Sequence, residues 1–362
     1  MRSKKVVSEM LVTIRDVARV AGVSISTVSR ALAAPEMVAE ATRIHVEETA
    51  RSMGYQPNRA ARGLVTGRTG CIGLVVPDLE NPFFGSICKG AQPRARAAGY
   101  SLFIADTDED PMVEAEIVHS LAKQVDGVIL CSARGTDAEI RELALEVPVV
   151  LVNRCLANIP SISVDNGGGL RAVIQHLAAL GHRRICYAGG PANSWSNGER
   201  ARSFRDVRAE LPKLDLIELG NFPPDFSGGI QAGDLAIASG ATAIVAFNDL
   251  MAVGLIDRLR QRGVSVPDDI SVTGFDNVPV SMLVRPNLTT VDSPRIQIGR
   301  TSVDRLLDTV LGRPVRPRAL QQIPVQLVVR RSTGVVNEQR ADLVTAPEVS
   351  DLPGSRPAAF NG

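Results

Sequence analysis

From Cys71 to about residue 335 the chain repeats one pattern: a short apolar run, then a longer amphipathic stretch. CIGLVVP, YSLFIAD, GVILCS, VPVVLVN, RICYAGG, TAIVAFND and ISVTGFD read as strands. Their apolar residues run on without alternating, as in strands buried on both faces. Between them the spacing predicts helices over 83–98, 112–123, 170–180, 199–211, 230–238 and 250–262. Strand–helix alternation of this kind builds parallel sheets covered by helices on both faces. Seven or more such units exceed one doubly wound sheet, so two lobes are expected.

Length and composition narrow the class. A chain of 362 residues predicts two or three domains. It is 44% hydrophobic, enough for sizeable cores, yet no apolar run reaches the roughly 18 residues of a membrane helix. Residues 1–10 are charged and lack the apolar centre of a leader, so a cytoplasmic protein is expected. Cys71, Cys88, Cys131, Cys155 and Cys186 are odd in number and form no CxxC pair, which predicts buried free thiols rather than disulfides or a zinc site. There is no HExxH and no Gly-x-Ser-x-Gly. Neither GLVTGRTG nor Gly167–Gly169 has the spacing of a nucleotide-binding loop. No enzyme, cofactor or metal is predicted. His182, in LGHRRI, reads as a helix-end residue, favourable there when protonated.

The net charge of +1 conceals an asymmetry. Residues 1–70 carry 11 Lys and Arg against 6 Asp and Glu; the remainder carries 29 against 33. A basic head on an acidic body suggests that only the head meets a polyanion.

The head has a grammar of its own. In TIRDVARVAGVSISTVSRAL, Val17, Ala18, Ala21, Val28 and Leu32 recur at three and four residues, on one face of two short helices. Gly22 marks the turn between them. Thr13 with Asp16 resembles a capping box, and Ser24 suits the N-cap of the second helix. That helix carries Ser26, Thr27, Ser29 and Arg30 outward, so it suits a major groove. Arg30 has the geometry to grip a guanine in a bidentate pair. A third helix is expected from Glu40 to Met53, lacking a natural cap at Ala39 and ended by Gly54. The following GYQPNRAARGL holds a helix of six residues, too short to stand alone in water.

VARVAGVSISTVSRAL, GYQPNRAARGL and the later GFD segment together resemble the lactose-repressor (LacI/GalR) family of bacterial transcription regulators, over about residues 13 to 335. The resemblance implies a small all-α helix-turn-helix head on an α/β body of two doubly wound lobes, like the type I periplasmic binding proteins. It divides the chain into a flexible arm (1–12), a DNA-binding domain (13–56), a hinge helix with linker (57–70), a body (71–335) and a disordered tail (336–362). Lobe one takes about 71–164 and 295–322, lobe two about 166–291 and 325–335, with crossings near Asp165, Asp292 and Ile323. DNA contacts are implied for Thr13, Ser24, Ile25, Ser26, Thr27, Ser29 and Arg30. In the hinge they are implied for Asn58, Arg59, Ala61 and Leu64, with Leu64 wedged into the minor groove. The tail lacks leucine heptads, so a homodimer on a double-stranded, palindromic operator is the default.

In open α/β sheets ligands bind beyond the carboxyl ends of the strands. There lie flat faces (Phe84, Trp195, Phe222) and in-plane partners (Arg200, Asn248, Asp276), as a sugar or a nucleobase requires. The resemblance carries effector contacts onto Phe83, Phe84, Arg200, Phe222, Asn248 and Asp276, and implies a carbohydrate. Ser203 stands where the family favours glycine. Taken singly, Asn248 also fits a helix N-cap and Asp276 a turn. A solute receptor with no DNA role is the rival reading, against which the head and the missing leader argue.

Overall fold

The computed structural model describes residues 12–33, 37–55, 68–313 and 320–337. The hinge positions Asn58, Arg59, Ala61 and Leu64, the arm up to residue 11 and the tail from 338 lie outside the described residues.

The head is three helices, α1 (Ile14–Ala21), α2 (Ile25–Ala33) and α3 (Glu40–Ser52). Val17, Val28 and Val46 are fully buried where they meet, ringed by Ala18, Ala21, Ala31 and Ala50. Thr13 N–H and Oγ1 both donate to the Asp16 carboxylate, at 3.0 and 2.7 Å, and α1 stops at Gly22 with φ 65°. Ser24 Oγ accepts from Thr27 N–H at 3.1 Å and so caps α2. Ala39 leaves α3 without a side-chain cap. At the other end Gly54 N–H bonds to Arg51 O and Tyr55 N–H to Ala50 O, the two bonds of a Schellman stop.

The body then runs β1 (Cys71–Val76), α4 (Pro82–Ala97), β2 (Ser101–Asp106), α5 (Pro111–Ala122), β3 (Val128–Cys131), α6 (Asp137–Glu146), β4 (Val149–Val152), β5 (Ser161–Val164) and α7 (Asn166–Ala179). It continues with β6 (Arg184–Gly189), α8 (Trp195–Glu210), β7 (Asp215–Asn221), α9 (Phe226–Ala238), β8 (Ala243–Ala246), α10 (Asp249–Gln261), β9 (Ser271–Thr273) and α11 (Val280–Leu283). β10 (Thr290–Asp292), α12 (Arg295–Val310), β11 (Leu320–Ile323) and β12 (Gln326–Val328) complete it.

Two parallel sheets result. One has the order β2-β1-β3-β4-β5-β11, the other β7-β6-β8-β9. Both repeat the doubly wound order in which a second strand lies outside the first and the third on its other side. The central strands are buried throughout, which explains their unbroken apolar runs. Three chain passages between the sheets lie side by side. Asp165 N–H donates to Ile323 O at 2.9 Å, and β10 pairs antiparallel with β12, Asp292 opposite Gln326.

Helices α4 and α12 cross so closely that a Cβ on Gly90 would lie 2.1 Å from the Ile296 carbonyl oxygen. Helices α7, α8 and α9 begin about four residues earlier than their apolar periodicity predicts. Their first turns read Asn166-Gly167-Gly168, Trp195-Ser196-Asn197 and Phe226-Ser227-Gly228, and so carry no apolar stripe. N-caps at Asp165, Ser194 and Asp225 start them instead.

His182 is buried rather than charged at a helix end. Its ring bonds to Thr242, Ser271 and the Gly334 carbonyl, and burial pulls its pKa below the ordinary value, which keeps the imidazole neutral. Cys88, Cys131 and Cys186 are buried free thiols, while Cys71 and Cys155 are half-buried. No helix among the described residues is long and apolar enough to cross a membrane.

A candidate effector cleft and a candidate groove-reading helix

The carboxyl ends of the two sheets face one another. In each lobe the loop after a strand carries the N-cap of the next helix, so helix N-termini converge on the gap. Asn81 caps α4, accepting from Phe83 N–H at 3.0 Å. Ser194 caps α8 and Asn248 caps α10, accepting from Met251 N–H at 2.8 Å. An orphan N–H at each helix start needs an acceptor, so the same chain geometry that starts the helices delivers polar side chains to the gap.

A narrow cavity lies there. Lobe one lines it with Asn81, Phe83, Phe84, Glu109, Ser132, Arg134 and Asn153; lobe two with Ser194, Ser196, Arg200, Pro224, Phe247, Asn248 and Asp276. Of the seven residues singled out from the sequence, five meet here: Phe83, Phe84, Arg200, Asn248 and Asp276. Phe222 lines an adjoining, wider vestibule with Asp78, Glu80, Asp106, Asp108 and Asp225. Trp195 opens α8 half-buried and lines neither space, although its neighbours Ser194 and Ser196 do line the cavity.

Arg200 is the best-held group in the cleft. It is 4% exposed; its Nε donates to Asn166 Oδ1 at 2.9 Å and its Nη1 to the Phe247 carbonyl. Its guanidinium lies 3.5 Å from the Phe275 ring centre and 4.8 Å from that of Phe247, and Nη2 stands 3.8 Å from Asp276 Oδ1. Burial pushes the pKa of Arg200 down, against the pull of Asp276. Burial pushes Asp276 up to about 6, while Arg200 and Arg295 draw it back. Asp276 adopts φ 105°, a left-handed conformation costly for aspartate, in the turn that aims it at Arg200. Asp249 is buried beneath, bonded to Thr290 Oγ1 and Val278 N–H, its pKa raised chiefly by that burial.

On the other wall Arg134 bonds bidentately to Glu109, at 2.5 and 2.9 Å. Sequence reading missed Arg134, Ser132 and Asn153. A signal for two of them exists: each is the first polar residue after a fully apolar strand, where the chain turns with φ 56° (Ser132) and 54° (Asn153). Two buried atoms at the cavity lack partners among the described residues, Asn153 Oδ1 on lobe one and Ser196 Oγ on lobe two. Buried polar atoms are rarely left unpaired, so both are free to bond to whatever occupies the cavity. Asn248 has less to offer, because its Oδ1 serves as the cap and its Nδ2 donates to Pro224 O at 2.6 Å.

On the head, α2 presents Ile25 (46% exposed), Ser26 and Arg30 to solvent, with Thr27 and Ser29 half-buried beside them. Ser24 is exposed, and Thr13 at the start of α1 is committed to Asp16. Another hollow, between α5 and α6, involves none of these residues.

Known proteins align with both parts. Residues 69–331 match the model for periplasmic binding proteins and the sugar-binding domain of the LacI family; residues 13–58 match that for bacterial regulatory proteins of the lacI family. Catabolite control protein A of Priestia megaterium is 34% identical over 334 residues, covering 90% of this chain and 100% of the relative. The transcriptional repressor CytR of Escherichia coli is 32% identical over 342 residues, covering 92% and 99%. Among solved structures, a lac repressor dimer bound to operator and the anti-inducer ONPF superposes with a TM-score of 0.77 at 29% identity, covering 90% of this chain and all of that one. A complex of the regulator CelR with cellobiose reaches 0.66 at 29% identity, covering 89% and 99%.

Proposed function

The chain belongs to the LacI family of bacterial transcription regulators, and on that premise we propose a specific division of labour among its residues. The protein is a DNA-binding regulator, a repressor, that binds operator DNA as a homodimer under control of a sugar, and it is not an enzyme. Ile25, Ser26 and Arg30 read base edges in the major groove, and Thr13, Ser24, Thr27 and Ser29 hold phosphates. Asn58, Arg59, Ala61 and Leu64 form the hinge that meets the minor groove. The protein works in the bacterial cytoplasm, on the nucleoid when bound.

The sugar occupies the cavity between the lobes. Asp276 and Arg200 take hydroxyls in the ring plane, Phe83 and Phe84 cover a face, and Asn248 with Phe222 guards the outer end. Asn153 and Ser196 complete the set. The observation that carries this reading is their pairing: one buried, unpartnered oxygen on each wall of one cavity. A ligand bonding to both walls has different affinities for different lobe angles, and only such a difference can shift the hinge and the grip on DNA.

The test is a sugar panel applied to the full-length dimer on its operator. Asp276→Ala should abolish the effector response and retain operator binding at fixed salt. Unchanged effector affinity of that variant in calorimetry would remove Asp276 from the site.

A further inference from the structure

Where β10 leads into α12, at one of the passages between the lobes, a second group of polar atoms is left unsatisfied. Ser293 is 1% exposed, and its Oγ has no hydrogen-bond partner among the described residues. Two residues on, Nε and Nη1 of Arg295 are buried and equally without partners. The carboxylate nearest to Arg295, Asp292, stands 4.0 Å from Nη1, beyond hydrogen-bond reach, and is engaged by Asn277 Nδ2 at 2.8 Å. Helix α12 is 16 residues long, begins at Arg295 and has Pro294 at its cap, with no side chain bonded to its first turn. Arg295 N–H bonds back to Ser293 O. Ser293, Arg295, Ile296 and Gln297 line one open hollow, along with Arg300 further up the helix.

These groups share a polarity. A guanidinium, a hydroxyl, an uncapped helix start and a second arginine favour negative charge; Asp292 at the rim and the buried Asp249 and Asp276 behind Arg295 oppose it. Buried N–H groups with no acceptor are costly, because they have lost their water without a hydrogen bond in exchange. We propose that this hollow binds a small oxyanion, a phosphate group or a carboxylate, at a site separate from the effector cavity. Arg295 Nε donates to one oxygen, Ser293 Oγ donates to another, and the positive end of α12 faces the charge.

The location gives the site a reach beyond itself. Arg295 starts a helix packed on lobe one, whereas Asp292 and Asn277 belong to the edge of lobe two, so the anion rests at a passage the lobes share. Arg295 also helps hold down the pKa values of Asp249 and Asp276. An anion that neutralises Arg295 is therefore felt at Asp276, and occupancy of either site alters affinity at the other.

Inorganic phosphate is the probe, titrated into the full-length protein at constant ionic strength against chloride, with calorimetry and thermal unfolding as readouts. Phosphate should bind saturably and raise the unfolding temperature. Arg295→Met should weaken phosphate binding roughly tenfold to a hundredfold. Ser293→Ala should weaken phosphate binding several-fold and tests the site independently of Arg295. Glycerol phosphate and acetate, as competitors, separate a phosphate-ester ligand from a carboxylate. Equal responses to phosphate in wild type and both variants would overturn the proposal, as would equal stabilisation by chloride. So would intact phosphate binding in Arg295→Met.

Discussion

The head and the cleft hold their polar side chains on opposite terms. On α2, Arg30 is exposed and its guanidinium meets no partner among the described residues. In the cleft, Arg200 is buried, bonded to Asn166 and to the Phe247 carbonyl, and stacked on two rings. On the proposed reading the same residue type serves two tasks. A side chain that reads a base edge keeps its water until the duplex displaces it. A side chain that grips a small molecule must be in place beforehand, because a ligand of a dozen heavy atoms has little binding energy with which to order its site. The contrast also separates what each residue is worth: Arg200 is bound up with folding, Arg30 is not.

Three substitutions sharpen that contrast or break it. Arg200→Met should have the largest effect. It strips the partner from Asn166, from the Phe247 carbonyl and from Asp276 together, and should cost about 3–5 kcal/mol in denaturant unfolding of the body. A loss below ~1 kcal/mol would mean that the arginine is not held as described. Arg30→Ala should leave stability within about 0.5 kcal/mol. It should remove about 1–3 kcal/mol of discrimination between operator and scrambled duplex at one salt concentration. Stability loss without loss of discrimination would reverse its assignment. Ser24→Ala should have the smallest effect. It removes the cap on the same helix and should cost the head about 1 kcal/mol, read by circular dichroism or amide exchange in α2. Between them, Ser24 and Arg30 divide one helix into a residue that forms it and a residue that uses it.

The head was legible because its signals are local. Thr13 with Asp16, Gly22, Ser24, the empty cap at Ala39 and the stop at Gly54 each act within a turn or two of chain, and each occupies the role its residue type implies. In the body, strand–helix alternation announced the α/β class for an equally local reason: a strand buried on both faces has no polar side to show. Helix starts were harder to place. The first turns of α7, α8 and α9 are polar or glycine-rich, so apolar periodicity begins a turn late.

The cleft divides along the same line. Phe83, Phe84, Arg200, Asn248 and Asp276 follow strand ends, and the rule that ligands bind there brought them forward. Trp195 also follows a strand end, but it lines neither the cavity nor the vestibule. Asn153 is announced only as the first polar residue after an apolar strand; Arg134 has no announcement in the nearby chain, because its partner Glu109 comes from another loop. The same holds for Arg295, which reads as an ordinary charge in the first turn of a helix. Chain order alone determined three helices with their caps, the alternation that makes two sheets, and the strand ends where polar residues gather. Tertiary structure decided which of those residues are buried, which acceptors they find and which are left without one. Caps and periodicity are properties of neighbours in sequence, whereas burial and hydrogen-bond satisfaction depend on groups that meet only after the chain has closed on itself.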